Sequence, residues 1–449
     1  MPTDPYILKK ENTISPPKGF FKKLKFLGPS FILSASIVGS GELIATTTLG
    51  AKAGFVTFWV ILISCLVKVA VQMEMGKHTI LTGETAMQAF NKLPGPKFGK
   101  ARWSVWLVLV IMLIKLLQLG GIVGGVALIL NMVFPQLSVA VAAFMVAIVV
   151  ALMTFKGYYK FIERFSIVLI ALFTTFTFLA LYFLKFTEYT LLWSDVLSGL
   201  SLQLPTAAVA VAIGAFGITG VGADEIIHYN YWCLEKGYAT YTGPYEDTPE
   251  WKDRALGWIK VMQLDALVAM LIYTVVTAAF YLLGAAVLYA QDRIPEGYQM
   301  IESLSSMYTD SIGPEAKPVF LLGSFMVLFS TLFAALAAWT RQYADLFGQM
   351  GWIDFFNLPQ RLKSISILAW VMPMLWATLF VFIKLPVLMV ISGGIVGSIL
   401  LLLVVFATLQ FRYQRTLPAF TPSKGYDIIL WISILTIGWV ALYGLISLV

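Results

Sequence analysis

The sequence predicts an all-α polytopic membrane protein of 11 transmembrane helices, built as an inverted repeat of spans 1–5 and 6–10 with spans 1 and 6 broken. Three observations lead there. Hydrophobic residues make up 59% of the 449 positions and charged residues only 12%, against about a quarter charged in soluble domains. A single water-soluble core could not hide that much apolar surface. Runs near the length of about 20 residues that a helix needs to cross hydrocarbon recur along the chain. Finally, a glycine–acid interruption falls in the first run of each set of five.

Ahead of the first run, residues 1–26 are polar and basic, with Lys9, Lys10, Lys18, Lys22, Lys23 and Lys25. They lack the apolar region and cleavage site of a signal peptide, so the first span is expected to direct insertion. The first repeat, 27–184, holds spans Leu27–Thr48, Phe55–Gly76, Trp103–Phe134, Leu137–Phe155 and Phe161–Leu184. The second, 207–409, holds Ala207–Trp232, Val261–Tyr289, Pro318–Trp339, Ile365–Ile383 and Pro386–Leu409. An eleventh helix occupies 428–449. The third, sixth and seventh spans are longer than hydrocarbon requires and are expected to tilt or project.

Lysine and arginine test this layout, because cytoplasmic loops retain them. With the N-terminus inside, cytoplasmic segments carry 24 of the 31 basic residues. External segments carry Lys52, Lys185, Arg293, Lys317 and Lys384, and two more, Lys68 and Lys115, lie within helices. A multi-pass cell-membrane protein with a cytoplasmic N-terminus and an external C-terminus is therefore expected. The formal charge of +7 is topological on this reading, and no nucleic-acid partner is expected. The lipid bilayer is the expected surround and the monomer the expected state. Cys65 and Cys233 fit no disulfide framework and are expected as buried free thiols. The external acidic loop, Asp292, Glu296, Glu302, Asp310 and Glu315, reads as solvation.

Span one contains Val38-Gly39-Ser40-Gly41-Glu42 and span six contains Val221-Gly222-Ala223-Asp224-Glu225. The second set of five begins after an odd number of spans and so enters the membrane from the opposite side. Broken first helices of such inverted halves form substrate sites at the midplane. Glycine disfavours helix by about 1 kcal/mol relative to alanine, so clustered glycines let the backbone unwind. Unwound backbone is tolerated at this depth only where it lines a cavity or is buried in protein. A carboxylate at the bilayer centre costs roughly 2.5–3.5 kcal/mol on insertion scales. Glu42, Asp224 and Glu225 carry that cost, and they repel one another unless a cation joins them or protons neutralise them. A cation site is the leading reading, and pairing with Lys68 or Lys115 is the alternative.

The remaining intramembrane polar groups point less sharply. Lys115 and Gln118 lie on span three, where Lys115 is expected to snorkel or pair with an acid. Gln263 and Asp265 open span seven and read as helix-end residues. His78 and His228 have no metal-ligand spacing. No Walker motif, nucleophile–base pair or cofactor motif appears, so neither an enzyme nor an ATP-driven pump is expected, and no cofactor is expected.

The run Gly28-Pro29-Ser30-Phe31 through Gly39-Ser40-Gly41-Glu42 to Leu49-Gly50-Ala51-Lys52-Ala53-Gly54-Phe55 resembles the first helix of the Nramp divalent-metal transporters. The resemblance continues through Gln72, Thr82-Gly83, Gly124, Gly125 and Gly157-Tyr158-Tyr159-Lys160-Phe161-Ile162-Glu163. It implies a LeuT-type fold and carriage of divalent metal. The departures are informative. Where the family has Asp-Pro-Gly-Asn, this chain has Gly39-Ser40-Gly41-Glu42. The Met-Pro-His of span six falls on Gly222-Ala223-Asp224 or Ala223-Asp224-Glu225. The proton-path glutamate of span three falls near Gly121, and Ser392-Gly393 stands for the Ser-Gln of span ten.

Loss of methionine removes a soft ligand; carboxylate, carbonyl and water suit Mg²⁺, Ca²⁺ and Mn²⁺. Smaller residues are expected to widen the pocket for a partly hydrated Mg²⁺, which dehydrates reluctantly. This altered pattern resembles the Nramp-related magnesium transporters. The expected function is secondary transport of Mg²⁺, and also of Mn²⁺, by alternating access without proton coupling. Glu42, Asp224 and Glu225 are the expected carboxylates, Ser40 a hydroxyl ligand, and Gly39, Gly222 and Ala223 carbonyl donors. The competing expectation is a Na⁺-coupled carrier of an organic, amino-acid-like solute on the same fold.

Overall fold

In hydrocarbon no water satisfies a backbone N–H or C=O, so an apolar run closes its own hydrogen bonds as helix. The computed structural model, which describes residues 4–37, 39, 41–155 and 159–447, does this for every one of the expected runs. Span one is Pro29–Ile37 followed by Gly41–Thr46 and Thr47–Ala53. Spans two to five are Phe58–Thr82, Trp103–Val133, Val139–Phe155 and Tyr159–Phe183. Span six is Val209–Ile218 and Ala223–Lys236. Spans seven to eleven are Pro249–Leu283, Ala316–Met350, Leu358–Ile383, Pro386–Gln410 and Lys424–Ser447. Two short strands, Lys97–Phe98 and Ala101–Arg102, pair antiparallel between spans two and three.

The packing follows the repeat. Span two lies against seven, three against eight and four against nine, and the halves of span one meet those of span six. Span ten packs along span three and the first half of span six, and span eleven covers spans two and ten. Large apolar side chains such as Trp439, Ile446, Leu271 and Phe382 face outward, where lipid replaces a protein partner.

Several helices run past their expected ends. Span seven begins at Pro249, three turns before Val261, and span eight continues to Met350 beyond Trp339. Apolarity marks the hydrocarbon, whereas the helix continues wherever propensity and packing allow. Span seven starts with Thr248 accepting from the N–H of Trp251 at 3.2 Å and with Pro249 in the first turn, a favourable entry. The expectation that Gln263 and Asp265 end a helix is therefore corrected, since both lie inside span seven. The acidic loop between spans seven and eight is also partly helical, as Met300–Ile312, and its Glu302 bonds Lys317 at 2.9 Å.

Asp265 has a structural task. Span one opens with Gly28-Pro29-Ser30, which suits a helix start but offers no side chain at the cap. The Asp265 carboxylate, 237 positions away, accepts from Gly28 N and Ser30 N, each at 2.7 Å, and Tyr229 Oη donates to it at 3.2 Å. One buried acid thus caps the first half of span one and ties it to spans six and seven.

The N-terminal segment crosses the ends of several helices. Asp4 pairs with Arg361 at 2.7 Å, Tyr6 Oη donates to Glu235 at 2.7 Å, and Trp258 Nε1 donates to Ile14 O at 2.9 Å. Arg341 also bonds Glu235. Cys65 and Cys233 are buried free thiols, as expected.

Candidate functional site

Both breaks fall in the glycine clusters. In span one the first helix stops at Ile37 and the chain resumes at Gly41 as a π-helical turn. In span six the helix stops at Ile218 and resumes at Ala223. Gly220 turns the chain with φ +66°, a conformation that costs a side-chain-bearing residue about 1 kcal/mol or more. The breaks face each other. A Cβ on Gly41 would lie 3.1 Å from the Ile218 carbonyl oxygen, and the hydroxyls of Thr46 and Thr219 meet at 3.2 Å.

The repeated Gly-x-x-Glu has the same function in each half. The N–H of Gly39 donates to Glu42 Oε2 at 3.3 Å, and the N–H of Gly222 donates to Glu225 Oε2 at 2.7 Å. Each glutamate reaches back to the start of its own resumed helix, where backbone donors have no helical partner and the helix dipole favours negative charge. The carbonyls of Gly39 and Gly222 receive the N–H of Leu43 and of Ile226, both at 2.9 Å. These two expected carbonyl donors are thus already engaged in helix.

Asp224, Glu225, Gly41, Gln118 and His228 line a cavity of about 30 Å³, room for two or three water-sized groups at about 10–15 Å³ each. Ile32, Leu33, Leu119, Ile122, Trp232 and Trp339 supply apolar wall. In this conformation the cavity is narrow rather than the wide pocket expected from the small residues; beside the glycines of the breaks lie backbone carbonyls, Ile218 O at Gly41 and Gly217 O at Gly222. Glu42, Gly39, Gly222 and Ala223 are absent from the described lining. Glu42 is fully buried behind the break, where Thr277 Oγ1 donates to its Oε1 at 2.9 Å. Ser40 lies outside the described residues.

Two buried lysines enter the site. Lys115 Nζ of span three pairs with Asp224 Oδ1 at 2.5 Å, so Asp224 takes the pairing that was the alternative to a cation site. Lys68 of span two bonds the carbonyls of Phe216 and, at 2.8 Å, Thr219. Three acidic side chains and two lysines therefore share the centre, so the acids do not form the lone cluster that their sequence positions alone imply. Among the described residues, no three His, Cys, Asp or Glu side chains converge on a metal position. His228 Nε2 lies 2.7 Å from Gln342 Oε1, and Gln118 Oε1 is buried without a hydrogen-bond partner among the described residues.

Sequence reasoning found the acids and the breaks. It missed Thr277 and Gln342, ordinary polar positions in long helices with no local signal. Lysines inside apolar runs were a signal for Lys68 and Lys115, but their partners lie 109 residues away or more.

The family model described as natural resistance-associated macrophage protein-like, Nramp, matches residues 30–447. A divalent metal cation transporter, MntH, of Mesorhizobium japonicum is 25% identical over 341 residues, 74% of this chain and 71% of that protein. A solved manganese transporter of Eremococcus coleocola, in complex with an aromatic bis-isothiourea compound, superposes with a TM-score of 0.61 at 16% identity, covering 98% of this chain and 90% of that one. Mhp1, a nucleobase-cation-symport-1 family transporter solved closed with bromovinylhydantoin, gives a TM-score of 0.57 at 15% identity, over 94% of this chain and 90% of that one. These likenesses establish the LeuT-type fold that the resemblance implied.

Proposed function

The chain belongs to the Nramp family, whose members are membrane transporters of metal ions rather than enzymes, and from that premise we propose that it carries divalent cations, Mg²⁺ and also Mn²⁺, by alternating access without proton coupling. The observation that carries this reading is the meeting of two helix breaks at a cavity whose charged walls are Asp224 and Glu225. Those oxygens are hard ligands, suited to Mg²⁺ and Mn²⁺, and the thioether of the family signature is absent. Asp224 and Glu225 face the ion. Glu42 adds negative charge from behind, and Ser40, Gly39, Gly222 and Ala223 shape the breaks. The ion replaces Lys115 at Asp224 when the cavity opens and admits some of its waters. Two charges crossing 100 mV gain roughly 4.6 kcal/mol, at about 2.3 per charge, so voltage can drive entry. The N-terminus is cytoplasmic, the C-terminus external, and the working unit a monomer.

The absence of coupling rests on the missing histidine and proton-path acid of the family pattern. His228 lines the cavity, with its Nε2 bonded to Gln342. A second reading, a Na⁺-coupled carrier of a small organic solute, is favoured by the Lys115–Asp224 pair beside apolar walls.

Flux into proteoliposomes tests both. Mg²⁺ and Mn²⁺ uptake under a clamped negative potential, with a trapped pH dye, is expected without internal acidification. Asp224→Ala is expected to reduce uptake by about 10-fold or more, since even groups that only support metal ligands are worth about 10–100-fold. Metal-dependent proton influx would remove the uncoupled mechanism. Absent metal flux alongside Na⁺-dependent uptake of an organic solute would establish the second reading.

A further inference from the structure

Lys68 has no part in the mechanism above, yet its placement is specific. It is fully buried on span two. Its ammonium bonds the Phe216 and Thr219 carbonyls, the latter at 2.8 Å, and stands 4.7 Å from the Phe216 ring centre. One turn earlier, Ser64 Oγ donates to the same two carbonyls, at 3.0 and 2.9 Å. Among the described residues no carboxylate lies within 4 Å of Lys68, although other buried lysines, Lys115 and Lys77, have one.

These two carbonyls belong to the last turn of Val209–Ile218 and to the residue that follows it. A helix C-terminus carries about half a negative charge, with carbonyls directed outward from its last turn. Unwound carbonyls and half-helix C-termini at a transporter's broken helix are a ligand set for a monovalent coupling ion. Here that set, with a serine hydroxyl beside it, holds an ammonium attached to the protein.

We propose that Lys68 occupies, in place of a bound monovalent cation, the carbonyl site at the end of the first half of span six, so that the carrier works without a coupling Na⁺ or K⁺. The tethered ammonium supplies the positive charge that keeps Phe216 O and Thr219 O oriented and the break in shape, and it stays with the protein through the cycle. The proposal deepens the reading above; it rests on the chain being an alternating-access carrier, holds whichever divalent cation is carried, and excludes the Na⁺-coupled second reading.

The test compares full-length wild type, Lys68→Ala and Lys68→Met in Na⁺, K⁺ and choline chloride at about 100 mM. Wild type is expected to have the same Tm and Mg²⁺ flux in all three salts. Lys68→Ala vacates the site while leaving Ser64 and both carbonyls; its Tm is expected to rise by about 2 °C or more in Na⁺ or K⁺ relative to choline. Its flux is expected to fall in choline and recover in the salt that stabilises it. Lys68→Met fills the volume without charge and is expected to lose flux with no recovery in any salt. Dependence of the wild type on Na⁺ or K⁺ would overturn the proposal, and that arm stands even if the variants fail to fold. Folded Lys68→Ala that responds to neither ion would overturn it too. The melting measurements need no transported solute, so failure of the Mg²⁺ reading leaves them decisive.

Discussion

At the scale of single residues, the decisive feature is that the acids are not alone. Removing one member of a buried ion pair costs about 3–5 kcal/mol, because the other is left uncompensated. Lys115→Met is accordingly expected to lower Tm in divalent-free buffer. Added Mg²⁺ is expected to restore more of the Tm in this variant than it adds to wild type, since the ion takes over the compensation of Asp224. Equal Mg²⁺ responses would argue against a metal at Asp224. Outside the membrane, Glu84 follows span two and meets His78 at 2.9 Å and Lys92. Burial by itself raises its carboxyl, but the bonds from His78 and Lys92 outweigh it and hold the group at about 2. A depressed carboxylate stabilises the fold above its unfolded value of about 4.5 and loses that contribution as pH falls toward about 2. The stability gap between wild type and Glu84→Gln should therefore be full at neutral pH and shrink below pH 4.5, as followed by thermal melts across pH.

At the scale of elements, the broken helices are held at their starts. Glu42 and Glu225 secure the resumed helices, and Asp265 secures the start of span one from a helix in the other repeat. Hydrogen bonds to charged groups contribute about 1.5–3 kcal/mol each and caps about 1. Asp265→Ala is expected to destabilise by about 2–3 kcal/mol, and faster hydrogen exchange should concentrate in residues 29–37. Uniform exchange changes across all spans would mean that Asp265 serves general packing rather than this helix start.

At the scale of the whole molecule, the N-terminal segment joins Arg361 at the start of span nine to Glu235 at the end of span six. These helices belong to different packed groups, spans one, two, six and seven on one side and three, four, eight and nine on the other. Alternating access moves such groups against each other, and a segment tied to both resists that motion. Deleting residues 1–17 is expected to speed modification of buried Cys233 by an impermeant maleimide applied at the face bearing the N-terminus. An unchanged rate would show that the segment does not restrain opening.

Much of this was legible in the amino-acid sequence. Lipid forces every spanning run into helix, so the apolar runs determined the eleven spans. The odd spacing of Gly39–Glu42 and Gly222–Glu225 implied inverted halves with opposed breaks, because glycine and buried acid are costly residues in a plain span. Tertiary structure alone decided what those acids touch. That Lys115 pairs with Asp224, that Lys68 holds carbonyls instead of an acid, that Asp265 caps a distant helix and that Glu42 turns to Thr277 all depend on contacts across 109–237 positions. A charge within an apolar run announces that it needs a partner. Which partner it finds is set by how the helices pack, because electrostatic and hydrogen-bond energies fall off over a few ångströms and sequence separation carries no information about that distance.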